Sequence, residues 1–126
     1  MPEPRLSETE LYIMRLFWQH GPMKSESLAV LVAERSWKST TLLTFLSRLA
    51  AKGILRVEKQ GKSNLYSPLI SEQEYLHQES KIFLDQMYGG SARDFLAAMV
   101  DSRGITKNDL AELKDWLSRQ EGADND

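Results

Sequence analysis

Apolar residues recur with a helical period along the first third of the chain. Leu11, Met14, Phe17 and Trp18 fall at i, i+3, i+6 and i+7, which predicts a first helix with one buried stripe. A capping box from Ser7 to Glu10 opens it, and Gly21-Pro22 closes it. Leu28, Leu31 and Val32 predict a second helix from about Ser25 to Ser36. Leu42, Phe45, Leu46 and Leu49 fit the i, i+3, i+4, i+7 template, giving a third helix with Ser39 as its N-cap and Gly53 as its C′ residue.

The period then changes. In ILRVEKQGKSNLYSPL, Leu55 and Val57 alternate with polar residues, Gln60-Gly61 makes a turn, and Leu65 leads to a closing Pro68. That is a two-stranded hairpin with a basic tip. A second capping box, Ser71 to Glu74, opens a helix carrying Leu76, Ile82, Phe83 and Met87, which Tyr88-Gly89-Gly90 breaks. Two shorter helices follow. One carries Phe95, Leu96, Met99 and Val100; the other carries Leu110, Leu113, Trp116 and Leu117 behind a Thr106 cap. The order predicts a mainly α fold with a small β-hairpin wing. A winged helix-turn-helix covers 1–70, a helical dimerisation region 71–120, and a disordered polar tail 121–126.

The polar side of the third helix is unusual for a solvated face. Thr40, Thr44, Ser47 and Arg48 gather opposite the apolar stripe, with Thr41 at the edge. Short hydroxyls are poor helix formers, so the apolar face must supply this helix's stability by packing. A helix lying in the major groove needs short outward residues: hydroxyls for phosphates and bases, an arginine for guanine, threonine methyls for thymine. Leu43, at the margin of this face, is placed either to pack against the second helix or to touch a thymine methyl, with core packing the expectation. Tyr66 in the hairpin suits either a phosphate contact or an inward ring.

Charge sharpens the picture. The chain of 126 residues has a net charge of −2, yet Arg35 to Lys62 contains seven basic residues and one acidic, a local +6. Lys38 beside the third helix and Lys59 and Lys62 at the hairpin tip join the helix face as candidate DNA contacts. No run approaches the roughly 20 apolar residues of a membrane span. MPEPRLSE has neither the basic start nor the apolar core of a signal peptide, so a cytoplasmic protein is expected. There is no cysteine, hence no disulfide or thiolate site, and no cofactor or metal is expected. The two histidines, His20 and His77, belong to no catalytic set, which argues against an enzyme.

LSETELYIMRLFW, TTLLTFLSRLAAKGIL, GKSNLYSPL and FLDQMYGG together resemble the BlaI/MecI/CopY family, the penicillinase-type repressors of bacteria. The resemblance covers Leu6 to Leu117. It implies a winged-helix domain, a C-terminal dimerisation region, a palindromic double-stranded operator and repression of transcription. It carries DNA contacts onto Thr40, Thr41, Thr44 and Arg48 and onto the wing. In the antibiotic-responsive branch a membrane-bound sensor metalloprotease triggers a cut at an Asn-Phe pair. By register the proteolytic site here is Ala98-Met99, a departure from that pair. The copper-responsive branch uses a C-terminal cysteine cluster, which this chain lacks.

Independently of the resemblance, Phe83, Met87, Tyr88, Phe95, Met99 and Trp116 are more large apolar residues than three helices can enclose. A homodimer would bury them. The alternative function is a winged-helix protein-interaction module that presents its basic face to an acidic partner and does not bind DNA.

Overall fold

The computed structural model describes residues 5–123. They divide into two compact units, the first ending at Glu79 and the second beginning at Ser80.

Helix α1, Glu8–His20, starts at the predicted capping box. The Ser7 hydroxyl accepts from the Glu10 N–H at 3.1 Å, and the Glu10 carboxylate accepts from the Ser7 N–H at 2.9 Å. Its buried residues are Glu10, Ile13, Met14 and Phe17, so the inward stripe is rotated from the predicted one. Leu11 and Trp18 are half-buried. Trp18 lies at the border because its indole N–H donates to the Ile70 carbonyl at 2.9 Å, a partner that a fully sunken ring would lose.

A two-residue strand, β1 (Met23–Lys24), precedes α2 (Ser25–Leu31). Helix α2 ends five residues earlier than its periodicity implies. A 3₁₀ turn, Ala33–Arg35, follows, and Ser36 takes the left-handed conformation at φ 56°. Helix α3, Ser39–Ala51, has Lys38 as its N-cap, without a side-chain cap; Ser39 is the first helical residue instead. At the other end the Gly53 N–H donates to the Ala50 carbonyl at 3.0 Å and the Ile54 N–H to Leu49 at 3.1 Å, with Gly53 at φ 77°. This Schellman closure needs the left-handed residue that glycine supplies, and it turns the chain directly into the sheet.

Strands β2 (Leu55–Gln60) and β3 (Ser63–Pro68) pair antiparallel, and β1 adds to the other edge of β3, giving the order β1-β3-β2. The predicted hairpin is therefore two strands of a three-stranded sheet. Gln60 pairs with Ser63, so the turn is Gly61-Lys62, one residue later than predicted, with Gly61 at φ 63°. A glycine of positive φ first in a two-residue turn suits the twist of a hairpin.

The core of the first unit joins Ile13, Met14 and Phe17 of α1, Met23, Leu28 and Val32, Leu42, Leu46 and Leu49 of α3, and Ile54, Leu55 and Tyr66. Tyr66 thus points inward. Beyond Leu55 every residue of β2 is exposed, so that strand leaves the core and the hairpin tip stands in solvent as a wing.

Helix α4, Glu72–Tyr88, opens on the Ser71–Glu74 capping box, with both hydrogen bonds at 3.0 Å. Its buried Tyr75 accepts from the Leu6 N–H at 3.2 Å. In the second unit, α5 spans Ala92–Asp101 and α6 spans Lys107–Ala123. Helix α6 is as long as α4 and takes in the first part of the polar tail; residues 124–126 lie outside the described residues. No residue from Ser80 to Gly122 is fully buried. The nearest thing to a core there is a ring cluster, with Phe83, Tyr88 and Phe95 centroids 5.5–6.0 Å apart.

Candidate nucleic-acid interface

Helix α3 is held by three residues on one side. Leu42, Leu46 and Leu49 are buried, which turns the opposite face outward. Thr40, Thr44, Ser47 and Arg48 are exposed there, and Thr41 is half-buried at the edge. Leu43 departs from expectation. It is 44% exposed and belongs to the outward row, one turn from Thr40 on one side and from Ser47 on the other. The Thr44 hydroxyl also differs from a free donor, because it donates to the Thr40 carbonyl at 2.9 Å. It keeps its lone pairs and its methyl for a partner.

The cations of the basic segment separate into two groups. Three are engaged within the fold. The Arg35 guanidinium lies 4.1 Å from the Tyr12 ring centroid and 5.7 Å from that of Trp37. Trp37 in turn packs on Phe45 at 5.1 Å, tying the turn before α3 to the helix itself. Arg56 pairs with Glu58 at 3.4 Å on the wing. The Lys52 ammonium donates to the Glu10 carboxylate and to the Arg5 carbonyl. By contrast Lys38, Arg48, Lys59 and Lys62 are exposed, with no carboxylate in salt-bridge reach among the described residues. These four flank the start of α3, its outward face and the wing tip.

Glu10 and Lys52 are a positioning pair that the sequence reading missed. Capping alone would leave Glu10 in solvent, yet it is 3% exposed. Burial alone would raise its pKa. The Lys52 ammonium and the Ser7 N–H outweigh that effect and hold the carboxyl below its ordinary value. Lys52 is the C-cap residue of α3, so this contact fixes the far end of the outward-facing helix against the first turn of α1. The signal available in the sequence was a glutamate within an apolar stripe and a lysine at a helix end, too common to distinguish.

Of the remaining predicted residues, Phe83, Met87 and Trp116 are exposed by 42%, 65% and 49%, while Tyr88, Phe95 and Met99 are half-buried. Ala98 and Met99 lie inside α5. The Ala98 carbonyl accepts from the Ser102 N–H at 3.0 Å, and that of Met99 from the Gly104 N–H at 2.8 Å. Both histidines are exposed, and no metal-binding cluster occurs among the described residues. Among the described residues, no helix is long and apolar enough to cross a membrane.

A sequence profile of the penicillinase repressor family matches residues 6–119. The penicillinase repressor of Bacillus licheniformis is 29% identical over 111 residues, covering 87% of each chain. The solution structure of the DNA-binding domain of the repressor BlaI aligns with a TM-score of 0.53 at 31% identity, over 59% of this chain and 92% of that one. The Bacillus licheniformis BlaI monomeric form, solved in complex with the blaP half-operator, aligns with a TM-score of 0.50 at 31% identity over the same shares. These relatives are repressors rather than enzymes. With the profile spanning nearly its whole length, this chain belongs to the penicillinase repressor family.

Proposed function

We propose that this chain represses transcription by binding a palindromic operator as a homodimer, with α3 in the major groove and the wing beside it. The observation that carries the reading is the pairing of α3's exposed hydroxyl-and-arginine face with three lysines around it, Lys38, Lys59 and Lys62, that have no carboxylate in salt-bridge reach among the described residues. Arg48 is the residue able to make a bidentate contact with guanine. Thr40, Thr41, Thr44 and Ser47 contact bases and phosphates, and Lys38, Lys59 and Lys62 hold the backbone. A relative solved on a half-operator supports DNA as the partner. The reading puts the protein in the cytoplasm with its DNA.

Dimerisation rests on the second unit. A stretch of helices without one fully buried residue, bearing exposed Phe83, Met87 and Trp116, gains most by meeting its own copy. Two α3 helices spaced about 34 Å apart then meet successive turns of one face of the duplex. The reading adds the half-buried Tyr88, Phe95 and Met99 to that dimer interface. Release by a membrane-bound sensor metalloprotease cutting at Ala98-Met99 would require α5 to open first, because both carbonyls are held in hydrogen bonds at the helix end.

Selection from a pool of random duplexes with the full chain tests this reading. It expects an inverted repeat with half-site centres about one helical turn apart, protected by a protein that sediments as a dimer. A dimeric protein that enriches no sequence at low salt would instead favour the protein-interaction module.

A further inference from the structure

We propose that Leu43 is a specificity-determining residue that reads a thymine through its 5-methyl group. The inference rests on the DNA reading above and deepens it.

Leu43 is the large apolar residue of α3 that the core does not take. Leu42, Leu46 and Leu49 are at most 5% exposed and Phe45 is half-buried, whereas Leu43 is 44% exposed among Thr40, Thr44 and Ser47. A leucine there gains by removing its surface from water against another apolar group. Phosphate oxygens offer none. On the major-groove edges of the four bases, the apolar group is the thymine methyl.

Thr44 next to it points the same way. Its hydroxyl hydrogen is held by the Thr40 carbonyl, which leaves acceptor lone pairs and a methyl. An A·T pair presents a methyl on thymine and an N6 donor on adenine, matching Leu43 and Thr44 in turn. A guanine edge presents acceptors, which face Thr44's lone pairs unfavourably. Arg48, on the opposite flank of the face, is suited to that guanine edge. The α3 surface thus runs from Leu43 at the methyl-reading edge through Thr44 to Arg48, one turn beyond Thr44, at the guanine-reading edge.

Leu43 also borders the crevice between α2 and α3, beside Ala29, Val32 and Leu42. A role in closing that crevice would make Leu43→Ala lower the melting temperature and weaken binding to every duplex alike.

The test uses the full chain and the operator obtained by selection. Each thymine of a half-site is replaced in turn by uracil, which deletes the methyl, and affinity is measured for the wild type and for Leu43→Ala. One thymine per half-site is expected at which uracil weakens the wild type roughly fourfold, the value of one buried methyl. Leu43→Ala should lose at least as much on the thymine operator, lose nothing further with uracil at that position, and keep its melting temperature. If uracil affects both proteins equally at every thymine, or if Leu43→Ala weakens all duplexes alike, this inference fails while the DNA reading stands. A pool that yields no preferred sequence overturns the DNA reading, and this inference with it.

Discussion

The carboxylate of Glu10, in the first turn of α1, accepts a hydrogen bond from the ammonium of Lys52, forty-two residues later at the C-cap of α3. Glu10 simultaneously closes the capping box with Ser7. One buried carboxylate thereby secures the start of one helix and the end of another. Replacing it by alanine leaves the partly buried ammonium without its counter-charge and α1 without half of its cap. Glu10→Ala should cost about 2–3 kcal/mol, read as a lowered urea midpoint with an unchanged slope. Glu10→Gln, which keeps the cap acceptor, should cost less.

The same pair sets a pH dependence. In the folded chain Glu10 titrates below its ordinary value of 4.5. Between the folded and unfolded values the unfolded state binds more protons, so stability rises with pH in that window. The contribution is complete above the unfolded value and disappears as the pH falls through the folded one. Glu74 acts in the same direction, through the Ser71 backbone N–H and then its hydroxyl. Unfolding between pH about 2 and 6 should show a shallower acid slope in Glu10→Gln than in the wild type; equal slopes would remove the charge pair from the account.

Gly53 sits at φ 77° with nothing within 4 Å of where a Cβ would stand. Alanine there meets no clash, so its cost is the left-handed backbone alone. Gly53→Ala should destabilise by about 1 kcal/mol, measured by the same denaturation, without loss of helical signal.

Charge substitutions separate the two groups of cations. Lys59, exposed on the wing and unpaired among the described residues, is expected to neutralise phosphate. Lys59→Ala should weaken all DNA sequences alike and lower the salt slope by about 1 for each bound protomer. Arg35 is stacked on Tyr12, so Arg35→Ala should act mainly on stability and change the slope less. The opposite ranking would reassign the basic surface.

What the sequence made legible follows the range of the forces involved. The capping boxes at Ser7 and Ser71, the Thr106 cap and the Gly53 closure rest on residues three to five apart, and all appear in the structure. The amphipathic split of α3 was equally legible, since four apolar residues at helical spacing leave one choice of inward face. Strand β1 was not. Two residues carry no periodicity, and Met23 and Lys24 become a strand only through pairing with Tyr66 and Leu65. The α3 cap falls at Lys38, after a 3₁₀ turn and a left-handed Ser36, a backbone path that carries no periodic signal in the sequence. For Leu43 the pattern allowed either packing or an outward position and favoured packing; the structure leaves it 44% exposed, because Leu42, Leu46 and Leu49 already fill the inward side.

If the outward face of α3 discriminates among DNA sequences, Arg48 is the side chain whose loss should show it. The measurement is the ratio of affinities of the full chain for its selected operator and for a scrambled duplex, at fixed salt, with and without Arg48→Ala. Arg48→Ala should lower specific binding by about 1–3 kcal/mol and relax preference at one base pair per half-site. An unchanged ratio, with the variant still folded and dimeric, would contradict it.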